Sequence, residues 1–167
     1  MTARVEIPGA AGRFTLPWNL SEWTPKDQLL AWVREEIATL HWDNPELVAI
    51  LKSRPSWQPR VHLSLLVYAY SIGTCDAQDA ADLFHVDPHV RAAFPGAVPA
   101  AKSLIRFRIE NQGLIRWGLE QVFKRVLRAR FELGDGLIPP GLKRILRDSA
   151  ATRLDAARQL DRCLHDE

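Results

Sequence analysis

The sequence predicts an all-α fold: a multi-helix bundle that contains a helix-turn-helix-like unit and follows an extended N-terminal arm. Apolar residues recur at helical spacing through most of the chain, whereas the strict alternation of a half-buried strand is nearly absent. Helix-start signals, in which a polar residue precedes Pro, recur between these apolar runs. Together these patterns indicate helices packed on one another.

Length and composition fit one globular domain. The chain has 167 residues, of which 47% are hydrophobic and 25% are charged, close to the average of proteins that bury a core. We predict an extended arm over residues 1–23 and a single helical domain over residues 24–167. Within that domain, residues 58–131 are expected to form the helix-turn-helix core and residues 142–164 a C-terminal helix.

The first part of the chain contains the arm and two helix signals. Gly and Pro occur without periodicity in the arm, where a short strand is expected at Arg4 to Ile7. Thr24-Pro25 predicts an N-cap and first helical position for a helix that reaches Leu40. Asn44-Pro45 predicts the start of a second, short helix.

The centre of the chain begins with an unusually apolar segment. Pro59 is expected to open a helix whose run from Val61 to Ile72 is apolar on nearly every side, which is typical of the buried centre of a bundle. Gly73 ends it, and Thr74 is expected to cap the next helix.

Four further elements are expected after Gly73. They are a helix over Asp76 to Phe84, a short helix from Asp87-Pro88 to Phe94, a long helix over Ala100 to Phe131 and a C-terminal helix over Leu142 to Leu164. Gly113 and Gly118 are expected to split or bend the long helix, each at a tolerable cost of ~1 kcal/mol. In the last helix, one face carries Ile145, Leu146, Leu154, Ala157 and Leu160.

Basic residues are concentrated in the second half of the chain. Residues 1–100 hold 8 Lys/Arg against 11 Asp/Glu, a balance of −3, and residues 101–167 hold 14 against 9, a balance of +5. The long predicted helix contributes eight cations against Glu110 and Glu120 only. Such asymmetry is compatible with an anionic partner and equally with a purely solvated helix face.

The basic helix and the two short helices before it have the outline of a helix-turn-helix module. Lys102 and Arg106 lie four residues apart, so they share a helix face beside Ser103. Helices that enter the major groove present their first turns to the bases. We therefore expect these three residues to lie at the groove of double-stranded DNA, with Arg108, Arg116 and Lys124 contacting phosphates.

Part of the chain resembles a known family. From Gln58 to Ala129 it is similar to the N-terminal helical domain, InsH type, of bacterial insertion-sequence transposases of the DDE class. The resemblance rests on Gln58-Pro59-Arg60, on the apolar stretch Leu65 to Gly73 with its two tyrosines, and on Ser103-Leu104-Ile105-Arg106-Phe107-Arg108. One departure is the segment Thr74 to Ala77, where the family usually has Ser and Arg.

The resemblance implies recognition of transposon ends and a catalytic domain that should follow this one. Enzymes of this class hold two metal ions with three carboxylates, mostly on strands of an RNase-H-like sheet. The 36 residues after Phe131 predict one turn and one helix, so no catalysis by this chain alone is expected. Expected partners are therefore duplex DNA, a transposase catalytic subunit or a second copy of the chain.

A second hypothesis is a helical protein-interaction or oligomerisation module derived from a transposase. The apolar face of the C-terminal helix either pairs with a partner or packs onto its own domain. Charge reversal at Lys102 and Arg106 distinguishes the hypotheses, because it abolishes function only under the first.

Other features predict no cofactor, metal or membrane site. Asp76, Asp79 and Asp82 drift around a helix, and Pro88 breaks the register between His85 and His89, so a solvated acidic face is favoured over a metal site. Among the six tryptophans only Trp117 lies near the basic cluster, where it is a candidate for stacking on bases.

Location follows from what the sequence lacks. The two cysteines are far apart, the segment from Met1 to Leu20 does not resemble a signal peptide, and no long apolar run occurs. A cytoplasmic, nucleoid-associated chain is therefore expected.

Overall fold

The computed structural model describes residues 16–42, 58–96, 98–133 and 140–165, together with residues 45, 47 and 138, and these residues form helices and no strand. This confirms the all-α prediction for the described part of the chain. A 3-10 turn spans Leu20–Glu22. Seven helices have both ends among the described residues: α1 (Lys26–Ala38), α2 (Pro59–Ser71), α3 (Ala77–Val86), α4 (Pro88–Ala93), α5 (Ala101–Glu110), α6 (Gln112–Arg130) and α7 (Pro140–His165).

Helix α2 is the centre of the bundle. Every residue from His62 to Ser71 is buried, and the helix packs against α1, α3, α5 and α6. A helix surrounded on all sides needs an apolar surface on all sides, which is what the sequence showed. Pro59 occupies the first turn, where its missing N–H costs no hydrogen bond.

The central helices α2 and α6 approach each other most closely at Gly118. A Cβ placed on Gly118 would lie 2.7 Å from Cγ2 of Val67, inside van der Waals contact. Glycine is therefore required here by packing, and the helix is not split at this residue because α6 is continuous through it.

The long helix predicted over Ala100 to Phe131 is two helices. Asn111 separates α5 from α6 with φ −130° and ψ 34°, outside the helical region. The break therefore lies before Gly113. Asparagine lowers helix propensity because its amide competes with the backbone for hydrogen bonds, and here the residue is buried at the junction.

The N-terminal segment is packed from Leu16 onward. Leu20 is fully buried, and the indole Nε1 of Trp18 donates a hydrogen bond to the carbonyl oxygen of Gly73 at 3.1 Å. Gly73 has φ +82° and ends α2, and the amide of Thr74 reaches back to the carbonyl of Ala69 at 2.8 Å, as in a Schellman cap. The arm predicted over residues 1–23 is therefore wrong for residues 16–23.

Two predicted helix starts are shifted. Helix α1 has Pro25 as its N-cap without a side-chain hydrogen bond, so Thr24 does not cap it. Helix α3 is capped by Asp76, whose Oδ1 accepts the amide of Asp79 at 3.0 Å, so Thr74 is not its cap. The strand expected at Arg4 to Ile7 and most of the helix expected after Asn44-Pro45 lie outside the described residues.

The last helix packs along α6. Its predicted apolar face is largely covered, because Leu146, Leu154 and Ala157 are buried in the common core while only Leu160 is exposed. No helix of the described residues has the length and apolar character needed to cross a membrane.

The two glycines of α6 give a direct test of this packing. We expect Gly118→Ala to lower the free energy of unfolding by about 1–3 kcal/mol, because the new Cβ overpacks the contact with Val67. Gly113→Ala is the matched control, since nothing lies within 4 Å of its Cβ position. It should raise stability by up to ~1 kcal/mol through helix propensity. Urea unfolding of both variants measures the difference, and equal effects would contradict the close approach of α2 and α6.

Candidate nucleic-acid interface

The eight cations of the predicted basic helix do not form one surface. Four of them, Arg108, Arg125, Arg128 and Arg130, lie at positions where they interact with the rest of the protein. The other four are Lys102, Arg106 and Arg116, which are exposed, and Lys124, which is half-buried.

Arg108 is not available to DNA. Only 3% of it is exposed, and its guanidinium forms a buried ion pair with Asp161 on α7. Removing either partner would leave an uncompensated buried charge, which is strongly destabilising. The phosphate contact expected for Arg108 is therefore corrected: the residue holds α7 against α5.

Arg125 and Arg130 also make contacts that stabilise the packing of the helices. Nε of Arg125 lies 2.7 Å from Oε1 of Glu36, and the same guanidinium pairs with Glu35, which joins α6 to α1. The guanidinium of Arg130 lies 5.1 Å from the ring centroid of Trp23, a cation–π contact that anchors the segment before α1.

The exposed face of α5, defined by Lys102 and Arg106, is the most accessible basic feature predicted from the sequence. Both side chains are exposed, and neither forms an ion pair with a residue that the structure describes. No side chain caps the start of α5, so the amides of its first turn add partial positive charge beside Lys102. Phe107, between the two arginines of the Arg-Phe-Arg motif, is fully buried and fixes the rotation of the helix.

Ser103 links this face to the core. Its hydroxyl lies 2.8 Å from Nε2 of His62, a buried residue of α2. Nδ1 of His62 lies 2.9 Å from the carbonyl oxygen of Gln58, and its ring packs against Phe107 at 5.4 Å between centroids. Burial lowers the pKa of His62. No local pattern predicts this partner of His62, because 41 residues separate it from Ser103.

Arg116 and Lys124 lie on α6, eight residues apart, with Glu120 midway between them. Residues four apart share a helix face, so this face alternates in charge. Its positive charge is therefore weaker than that of the α5 face. Trp117, the candidate for stacking, is half-buried at this level of α6.

Of the two short helices before α5, α3 carries acidic side chains and α4 carries Arg91. Helices α3 and α4 are separated by Asp87 alone, which caps α4 and accepts a 2.7 Å hydrogen bond from the hydroxyl of Tyr68. Helix α3 packs against both α4 and α5.

In the part of the chain that the structure describes, no three His, Cys, Asp or Glu side chains are grouped as metal ligands.

An open groove of about 720 Å³ lies between α3 and the C-terminal half of α7. Trp18, Val86 and Leu160 line it, and they are three of the five large apolar side chains exposed among the described residues. The rim is acidic, because Asp76, Asp79 and Asp82 also line the groove. We call this feature the α3–α7 groove.

In comparisons with known proteins, no protein-family model, curated protein or solved structure matches this chain. The resemblance to insertion-sequence transposases therefore stays a prediction carried by its motifs. In the structure these motifs lie at the start of α2, at its end and in α5, where Tyr68, Tyr70 and Phe107 are core residues.

The contact between His62 and Ser103 predicts a pH dependence of stability. Since burial lowers the pKa of His62 in the folded state, the unfolded chain takes up this proton at higher pH. The free energy of unfolding should therefore fall as pH drops from about 6.5 towards the folded-state pKa. Urea unfolding at about pH 7.5 and about pH 5 measures the loss, which His62→Gln should reduce. His89→Gln, at an exposed position, is the control. An unchanged loss in His62→Gln would refute the assignment.

Proposed function

We propose that this chain is a DNA-binding module, related to the N-terminal domain of insertion-sequence transposases, which binds duplex DNA through the α5 face and has no cutting activity of its own. The observation that carries the proposal is the pair Lys102 and Arg106. They extend from one face of α5 without an ion pair to any described residue, while neighbouring cations are used in packing.

The dimensions of α5 suit the major groove. A helix with its side chains is ~10–12 Å across, and the major groove of B-DNA is ~12 Å wide. Lys102 lies in the first turn and Arg106 one turn later, so both can meet base edges or flanking phosphates. The hydrogen bond between Ser103 and His62 holds α5 in a fixed orientation, which lowers the entropic cost of binding.

Charge limits how the DNA approaches. Helix α3 carries Asp76, Asp79 and Asp82, which repel phosphates, and it packs against α5. The helix-turn-helix interpretation therefore assigns base reading to α5 and leaves α3 as a support. On α6, Arg116 and Lys124 are the phosphate contacts that extend the footprint away from α3.

Cutting is assigned to a partner. The three carboxylates of DDE catalysis lie mostly on strands, and the described residues contain no strand. In this proposal the chain recognises transposon ends, and a catalytic subunit or an intact transposase supplies the chemistry.

Fluorescence anisotropy with a mixed-sequence duplex tests the proposal. We expect binding that weakens steeply between about 50 and 200 mM salt and that is much weaker in Lys102→Glu/Arg106→Glu. Loss of two phosphate contacts would make the salt slope shallower by about 1.8. Lys143→Glu/Arg147→Glu is the matched control, because it reverses two exposed charges at the same spacing on α7. Equal loss in both variants, or no binding at low salt, would overturn the proposal.

A second candidate function, protein interaction, is favoured by the α3–α7 groove. The sequence-based hypothesis placed this interaction on the apolar face of α7, but that face is mostly buried within the chain. The groove instead offers apolar side chains inside an acidic rim, which complements the basic α5 face of a second copy. Contiguous exposed apolar surface with a polar rim is typical of interaction sites.

Sedimentation velocity over a range of micromolar concentrations tests self-association through this groove. We expect a concentration-dependent dimer that Val86→Asp/Leu160→Asp weakens, because both substitutions place charge on the apolar part of the groove. Val98→Asp is the control, at an exposed apolar residue outside the groove. A monomer at all concentrations would rule out this function for a second copy as partner.

A further inference from the structure

A separate cleft of about 240 Å³ lies between α1 and α2. Arg34, Trp42, Arg60 and Ser64 line it, with Ile37 among its apolar lining. Arg60 and His62 are two residues apart on α2, so they lie roughly 200° apart around the helix. Since His62 faces Ser103 of α5, the cleft opens on the other side of α2 from the α5 face.

The described polar groups of this cleft can all donate hydrogen bonds. Arg34 and Arg60 bring two guanidinium groups and Ser64 a hydroxyl, and no carboxylate is among the described lining residues. The nearest acidic residues along α1, Glu35 and Glu36, are paired with Arg125 of α6. Two cations without a paired anion among the described residues create a site of positive potential.

Aromatic rings hold both guanidinium groups. Arg60 lies 5.5 Å from the ring centroid of Trp42, and Arg34 lies 5.7 Å from that of Phe94. Cation–π stacking uses the flat face of a guanidinium and leaves its in-plane N–H groups free to donate in pairs. Trp42 lines the cleft together with the guanidinium that lies over its ring.

We propose that this cleft binds a phosphoryl group of a nucleotide or of a nucleic-acid strand end. A phosphoryl group offers three acceptor oxygens and a negative charge, which matches two stacked arginines that donate in pairs. The volume accommodates the phosphoryl group and the first atoms attached to it, but not a duplex. This site is independent of the α5 face, so it extends the proposed function without relying on it.

Isothermal titration calorimetry on the full chain tests the cleft with inorganic pyrophosphate, AMP and a short single-stranded oligonucleotide with or without a 5′-phosphate. We expect binding of the phosphate-bearing probes and a loss of about tenfold or more in affinity for each of Arg34→Gln and Arg60→Gln. Arg60→Lys keeps the charge without the paired donors, so its affinity should be intermediate. Trp42→Phe keeps an aromatic ring beside Arg60, so it should weaken binding less than either arginine variant.

The controls separate this site from the α5 face. Arg144→Gln/Arg147→Gln removes two exposed arginines of α7 and should leave the affinity for pyrophosphate unchanged. Lys102→Glu/Arg106→Glu should also keep pyrophosphate binding while binding the duplex much more weakly. Tighter binding of the 5′-phosphorylated strand than of AMP identifies a strand end as the ligand, and the reverse identifies a free nucleotide. No binding of any probe, or binding by the Arg34→Gln and Arg60→Gln variants as tight as by the unsubstituted chain, would overturn the proposal.

Discussion

The bundle depends on a buried cation, Arg153. Only 1% of this residue is exposed, and no described carboxylate pairs with it. Its guanidinium instead donates to the carbonyl oxygens of Tyr70 at 2.8 Å, Pro17 at 2.8 Å and Trp18 at 2.9 Å. The rings of Trp18 and Phe123 each lie 4.8 Å from it. Burial lowers its pKa to about 10, so it stays charged at neutral pH. One side chain of α7 thus joins the end of α2, the N-terminal segment and α6.

This constraint explains why charge counted along the sequence overstates the basic surface. A buried guanidinium must have its donors satisfied, and each such group fixes several backbone segments at once. Arg153, Arg108 and Arg125 are three cations of the basic second half that hold helices together. The positive charge that remains on the α5 face is therefore local, and any DNA footprint built on it is short.

Local sequence signals predicted most of the helices. The candidate site was predicted less well, because its residues make contacts with residues far away in the sequence. The starts of α2 and α4 follow from Pro59 and from Asp87-Pro88, because caps and prolines act within a few residues. The ion pair of Arg108 joins residues 53 apart, which no local pattern reports. One signal was present, however: Arg108 lies four residues after the buried Leu104, in the same apolar stripe of α5. That register places Arg108 inside and Arg106 outside, since the two are roughly 200° apart.

Acidic and basic side chains lie on different faces of the molecule. Acidic α3 packs against basic α5, so a polyanion that reaches Lys102 or Arg106 is repelled on one side. The α3–α7 groove lies on that acidic side, where a basic partner is favoured. The cleft lined by Arg34 and Arg60 lies on the far side of α2 from α5. Under the two proposals, a nucleic acid on α5 and a second copy in the groove would contact different surfaces of the same molecule. Because the α5 face of one copy is also the proposed occupant of the groove of another, duplex DNA and self-association would compete for that face.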